Sequence, residues 1–349
     1  MFSLSKKTKG FFIEINEHTV LLARTSSPDA PMVVEELKQL LAGDDAALQT
    51  AIKELMEKRS ASGYMHSRCA VYPARRLVRR ATLDLKRVKD PAYYAEVCTQ
   101  QFRIEPEKYM LAVLHSSDGT DYDAAKATTQ KEVVFVGGPN DELLEMQNRV
   151  LGLGIYPERL ELGTLSTVGG LVDYLAHTQS KTPTLVLEMG TDNTQSFIVS
   201  STGLDIARPV PHGLEAMIPV VQKELNLKDE ESARKLFYSN TFDFTNMGGQ
   251  LIKKLHKELQ SSIGFYEVQT GQSIGQVVCT QLPAKLGWLE GAIAKELGVD
   301  VLKMDFAPWL QTRQITFADP DAATKLDATW LGLFSLMASY DAVITEEKK

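Results

Sequence analysis

The chain opens with a strand–turn–strand pattern, and the same pattern returns past its midpoint. Residues 11–15 are apolar around Phe11, Phe12 and Ile13, Asn16-Glu17-His18 has turn character, and residues 19–24 form the return strand. Residues 184–189 are again strongly apolar. A tight turn at 190–193, a return strand at 195–200, a second turn at Ser201-Thr202-Gly203 and a third strand at 204–209 follow. Further strands and helices come after each hairpin. The spacing is too wide for a solenoid. It is an internal duplication of the kind that builds two facing α/β lobes with a cleft between them, and 349 residues exceed what one hydrophobic core usually supports.

Between and after the hairpins, periodicity predicts helices at 48–56, 91–102, 141–151 and 165–177, with strands at 69–72, 109–115, 131–136 and 159–162. The latter half carries helix patterns at 214–225, 230–238, 249–269, 286–297 and 327–338, and strands at 275–280 and 299–304.

Charge and composition exclude several classes. The net charge of −7 argues against nucleic-acid binding, which needs a basic face. Arg75, Arg76, Arg79, Arg80, Lys86, Arg87 and Lys89 form a local basic cluster. It reads first as a solvated helix or strand face and second as a contact for an acidic partner or membrane surface. Cys69, Cys98 and Cys279 lack metal spacing and read as buried thiols of a reducing compartment. No apolar run reaches membrane-spanning length. Lys6, Lys7 and Lys9 precede an apolar stretch too short for a signal peptide, so a cytoplasmic protein is expected. The six histidines are scattered with no paired ligand spacing, so no metal site is expected. No G-x-S-x-G elbow occurs, and Gly137-Gly138 lacks the other glycines of a dinucleotide fingerprint.

Three blocks carry a resemblance. One is residues 185–200 (LVLEMGTDNTQSFIVS) followed by 203–213 (GLDIARPVPHG). Another is 251–270, with its Ile-Gly-Phe-Tyr segment, and the last is 131–175, a strand, Gly-Gly-Pro, helix, short strand and helix. In order and spacing they resemble the PilM family, the actin-like cytoplasmic assembly proteins of type IV pilus and type II secretion machines. The resemblance covers roughly residues 10–335. It implies a two-lobed actin-like ATPase fold with a nucleotide cleft. Residues 1–182 would form the first lobe, including an inserted subdomain at about 70–175, and 183–349 the second. The resemblance also implies that the subdomain recognises the cytoplasmic tail of a single-pass inner-membrane protein.

Actin-like ATPases hold a hydrated metal with an Asp near the end of the first strand, and let backbone amides reach phosphate through glycine in the following turn. Here Glu14 stands at the Asp position, Asn16 at the glycine, Glu17 beside it and Leu21 at the family's lysine, with Thr19 alongside. A carboxylate aimed at a polyphosphate in a partly desolvated cleft costs on the order of kilocalories per mole. The second loop keeps more: Gly190, with Thr191, Asn193 and Thr194 as hydrogen-bonding groups, and Glu188 and Asp192 as acids able to serve a metal. At the adenosine-side turn the family shows Gly-Gly, whereas this chain has Gln281 and Leu282. The expectation is a degenerate cleft without catalytic residues, with no cofactor or at most weakly bound ATP and magnesium.

The function expected is a non-catalytic cytoplasmic scaffold of a pilus or secretion assembly platform, peripheral to the inner membrane through its partner. The alternative is a slow or nucleotide-gated ATPase of the same fold that self-associates into polymers. The tail is expected in a groove with Val97, Phe102, Leu111 and Val134 as the apolar trough and Arg79, Arg80 and Arg103 as a charged rim.

Overall fold

A computed structural model describes residues 8–56, 63–125, 129–239 and 241–338. Lys6 and Lys7 of the basic N-terminal segment lie outside the described residues. The first lobe is a six-stranded sheet made of β1 (Gly10–Ile15), β2 (Thr19–Thr25), β3 (Met32–Leu41), β4 (Met65–Val71), β8 (Ile155–Leu162) and β14 (Ile315–Phe317), in the order β14-β3-β2-β1-β4-β8. The second is a five-stranded sheet of β9 (Thr184–Met189), β10 (Thr194–Ser200), β11 (Gly203–Val210), β12 (Gln276–Thr280) and β13 (Asp300–Val301), in the order β11-β10-β9-β12-β13. Both follow one plan. The first three strands form an antiparallel meander, and the fourth and fifth add in parallel beside the first. The duplication expected from the two hairpins is therefore a duplication of whole sheets.

Strand alternation decides which faces meet. In β1, Ile13 and Ile15 turn outward onto helix α1 (Asp45–Leu55), where Leu48, Ile52 and Leu55 cover them. Phe12 and Glu14, between them, face inward. In β9, Leu185, Leu187 and Met189 face a helical layer, while Val186 and Glu188 face inward. The outer helices of the second lobe supply Val221, Phe237, Leu251, Leu255 and Ile293 to that layer. One cluster joins the inner faces: Phe12 and Leu21 from the first sheet, Val186 and Phe197 from the second, and Leu171 and Phe334 from the helices Gly163–His177 and Leu331–Met337 that lie between. Such close-packed cores transmit displacement rather than absorb it.

A third sheet is inserted between β4 and β8. It consists of β5 (Leu77–Thr82), β6 (Tyr109–His115) and β7 (Glu132–Pro139), in the order β5-β7-β6. Helix α2 (Pro91–Val97) and a π-turn at Cys98–Phe102 cover one face through Tyr93, Val97, Phe102 and Phe135. The other face, with Val78, Val134 and Val136, belongs to the central cluster. After β7, helix α3 (Asn140–Gly152) leads back to β8.

Sheet pairing changes the expected boundaries. The inserted unit is 77–139 rather than 70–175, because β4 and β8 pair with each other inside the first sheet from Met65↔Ile155 to Val71↔Leu162. The segment 183–349 does not stay in the second lobe. β14 pairs in parallel with β3, and Leu331–Met337 packs under β1 and β4. The helix pattern at 249–269 is broken at Ile252 into Gly248–Leu251 and Lys253–Thr270.

The basic cluster is a solvated face only in part: Arg75, Lys86 and Lys89 are exposed. Arg76 is buried, Arg79 and Arg80 are half-buried, and Arg75 and Arg87 pair with Asp141, Glu142 and Glu96. The three cysteines are free and buried. Among the described residues no helix is long and apolar enough to cross a membrane.

Candidate functional site

The β1–β2 turn of the first lobe and the β9–β10 turn of the second face each other across the cleft. Asn16 builds the first turn itself. Its Oδ1 accepts the His18 and Thr19 amides at 2.9 and 2.8 Å, and its Nδ2 donates to Thr19 Oγ1 at 2.9 Å. A side-chain-braced turn thus takes the place of the expected glycine, and both polar groups of Thr19 are used inside it. Glu17, next in line, reaches across the cleft. Its Oε2 accepts the Thr191 amide at 2.7 Å.

The second turn is equally committed. The Gly190 amide donates to Asn193 O at 2.9 Å, and Thr194 Oγ1 donates to His212 O at 2.7 Å. A Cβ on Gly190 would lie 2.7 Å from Asn193 O and 3.4 Å from the Glu17 carboxylate, so only glycine admits this approach. Asp192 is exposed.

Below the turns lies a buried polar network. Glu188 Oε2 accepts from Arg76 Nη2 at 2.7 Å and from Thr164 Oγ1 at 2.7 Å, while Arg76 Nε donates to Thr164 Oγ1 at 2.8 Å. The Arg76 guanidinium also stands 5.3 Å from the centre of the Tyr72 ring. The Tyr72 hydroxyl donates to Glu14 Oε1 at 2.9 Å and lies 3.1 Å from Thr167 Oγ1. Gly163 is required here, because a Cβ would meet the Tyr72 ring at 2.2 Å. Burial pushes the Glu14 carboxyl up to about 8, with Glu188 adding to the rise and the Tyr72 hydroxyl and Leu333 amide opposing it. The Tyr72 phenol is raised by the same burial and by both carboxylates. Burial lowers His18, beside the first turn.

The turn after β12 carries side chains where the resemblance implied glycines. Gln281 follows β12 in the left-handed region at φ 64° and is buried, whereas Leu282 packs into the helical layer of the second lobe. Leu21, where the resemblance implied a lysine, is fully enclosed in the central core and offers nothing to the cleft. The expected residues Glu14, Asn16, Glu17, Thr19, Glu188, Gly190, Thr191, Thr194 and Gln281 thus converge on one interlobe site. The donors they leave for metal and phosphate are few: Glu188 Oε2 is bonded to Arg76 and the Thr191 amide to Glu17, and the buried Glu188 Oε1 alone of that carboxylate has no hydrogen-bond partner. Among the described residues there is no group of three or more His, Cys, Asp or Glu able to hold a metal. Sequence reading missed Tyr72, Arg76, Thr164 and Thr167. Arg76 stood out only as one member of a basic run, and its partner lies 112 residues away.

The expected partner groove does not exist as drawn. Val97, Phe102 and Leu111 sit on the α2 side of the small sheet, with Phe102 packed edge-on to Phe135 at 5.2 Å. Val134 sits on the opposite side, in the central core. Arg79 lies on the α2 side, where burial lowers its guanidinium to about 10. Arg80 turns toward the second lobe, donating to Asp205 O at 2.5 Å and pairing with Glu132 at 3.4 Å. It lines a cleft of about 670 Å³ shared with Asp205, Arg208, Ser262 and Phe265. Arg103 alone of the three arginines is exposed, at the end of the π-turn.

The open feature is the outer edge of β6. The Asp121–Tyr122 segment caps it at Val113 and Leu114, whereas Tyr109–Leu111 has no strand beside it among the described residues. Met110 there is 68% exposed. It stands opposite Gly138, over which Leu143 of α3 packs, and the neighbouring Leu144 is 58% exposed.

No family model and no curated protein matches the sequence. Among solved structures, the chain is similar to that of a PilM-PilN type IV pilus biogenesis complex, with 17% identity over 95% of this chain and 98% of that one and a TM-score of 0.67. The ethanolamine utilization protein EutJ from Carboxydothermus hydrogenoformans aligns at 10% identity over 95% and 89% of the two chains, TM-score 0.43. A protein of unknown function with an actin-like ATPase fold from Bacteroides thetaiotaomicron aligns at 10% over 90% and 98%, TM-score 0.44. Duplicated sheets of one strand order around a shared cleft, and the likeness to the first of these structures over nearly the whole chain, identify the fold as the two-lobed actin-like ATPase fold.

Proposed function

We propose that this protein is a non-catalytic scaffold of a type IV pilus or related secretion assembly platform. It works in the cytoplasm and is held at the inner membrane by the cytoplasmic tail of a single-pass partner. The likeness to a PilM-PilN complex supports this reading at the level of fold. The observation that carries it is the free edge of β6. The edge offers main-chain hydrogen bonds along one side of an extended peptide, and the exposed Met110 on it, with the exposed Leu144 on α3, offers apolar contact for alternate side chains. Glu188 is paired with Arg76 and the Glu14 carboxyl is bonded to Tyr72, so the reading assigns no turnover and no nucleotide.

The test is recovery of the full-length, tagged protein from solubilised membranes. The wild type is expected to bring down a single-pass inner-membrane protein, and a synthetic peptide of that protein's cytoplasmic tail should compete. Met110→Asp with Leu144→Asp should abolish capture while leaving the melting temperature unchanged, because both side chains are exposed. Capture that survives both changes rules out the β6 edge as the docking site. Nucleotide-dependent pelleting of the wild type in high-speed centrifugation would favour a polymerising ATPase instead.

A further inference from the structure

We infer that the interlobe cleft is a self-liganded latch. The Glu17 carboxylate fills the anion position on the second turn, the Arg76 guanidinium fills the cation position on Glu188, and the lobes are thereby held together without nucleotide or metal.

The two contacts stand on separate elements. Glu17 belongs to the β1–β2 turn of the first lobe, and its oxygen lies 2.7 Å from the Thr191 amide of the second. That amide stands in the loop whose backbone N–H groups would face a terminal phosphate in an ATPase of this fold. A carboxylate and a phosphate cannot share one N–H, and their like charges repel at this solvent-exposed contact. Arg76 lies between β4 and β5, where the first lobe passes into the small sheet, and reaches Glu188 at the end of β9. The side chains of this pair are 6% and 0% exposed. Thr164 closes the triangle by donating to the same Glu188 oxygen that Arg76 holds.

A divalent ion on Glu188 Oε2 would have to displace the guanidinium and leave it buried without its counter-charge, and only Oε1 of that carboxylate is unbonded. A planar guanidinium also fixes direction as well as charge, as a solvated ion does not. Gln281, just after β12 and in strand register beyond the Thr280–Glu188 pair, is buried as well, whereas Leu282 packs into the helical layer of the second lobe. The latch does not depend on the docking reading, since it concerns the face between the lobes rather than the β6 edge.

Amide hydrogen exchange on the full-length protein tests the anion half. In the wild type, exchange at residues 190–193 should be unchanged by millimolar Mg–ATP. Glu17→Ala should speed exchange at the Thr191 amide about tenfold or more relative to the core strand Thr184–Met189, the loss of one charged acceptor, and Glu17→Gln should fall between. The ratio to the core strand separates local release from global destabilisation. Unchanged exchange in Glu17→Ala, or slowed exchange in the wild type with Mg–ATP, overturns the inference. Calorimetric titration of the wild type with magnesium alone tests the cation half. No binding heat is expected, and saturable binding below millimolar concentration overturns it. Loss of tail capture with the exchange pattern intact would count against the docking site and leave the latch standing.

Discussion

At the scale of the residue, the decisive group is Arg76. Its side chain is enclosed, and its charge is matched by one carboxylate and bonded to one hydroxyl. Arg76→Ala leaves Glu188 charged and unpaired in the interior and should cost about 3–5 kcal/mol in urea unfolding. Arg76→Met combined with Glu188→Gln removes both charges and should recover most of that loss. If the double variant is no more stable than the single one, the pair is not what the buried charge depends on. Glu14 makes a separate prediction. Its folded-state pKa is raised from 4.5 to about 8, so the folded protein keeps a proton that the unfolded chain releases above its ordinary value. The contribution is fully present below about pH 4.5 and is lost as pH rises toward 8. Glu14→Gln cannot lose that proton. Its melting temperature should exceed the wild type's at pH 8 and converge with it near pH 5, and a constant difference across that range would show that Glu14 is ionised in the folded state.

At the scale of the element, the hairpins announced themselves through alternation and turn residues, and the structure has them within a residue or two of the expected ends. Strands lacking that pattern were overlooked. β3 carries Glu35, Glu36 and Lys38 around Leu37, and those charged side chains project into ion pairs with Lys9, Arg24 and Glu54 rather than into the core. β5 reads as a basic run because Arg79 and Arg80 point to opposite faces of a thin sheet, each covered by another element. β14, with three residues, is too short for periodicity to register. Its weight comes from Ile315, which is fully buried beside Phe306 and Trp309 in the central cluster. Ile315→Ala should therefore cost about 2–5 kcal/mol, as for a fully packed core position, and Thr316→Ala on the same strand much less. Equal effects of the two in thermal melts would mean that β14 is not seated in the core.

At the scale of the whole molecule, the first lobe is finished by the end of the described chain. β14 completes the first sheet, and Leu331–Met337 packs between the sheets. A protein ending at residue 312 should fail to fold, even though it retains the entire second lobe and small sheet. Soluble, cooperatively melting material from that truncation would refute the shared core. The latch adds a molecule-wide expectation: a nucleotide bound at 100 times its dissociation constant would add about 2.7 kcal/mol of stability. The melting temperature in millimolar Mg–ATP should instead match that in buffer alone.

The sequence by itself determined the duplicated hairpins, the two-lobed class, and the misplaced groups of the cleft: a carboxylate at Glu17, apolar Leu21, and Gln281-Leu282 in place of glycines. These are local facts, carried by spacing and side-chain chemistry over a few residues. Only the tertiary structure decided what those groups do. It made Glu17 a ligand for an amide 174 residues away, gave Glu188 to an arginine from a run that looked solvent-facing, and split the expected trough between two faces of one sheet. The physical reason is that burial and pairing are settled by which surfaces meet when the core closes. A charged side chain has the same local sequence signature whether it meets water or a partner from another lobe.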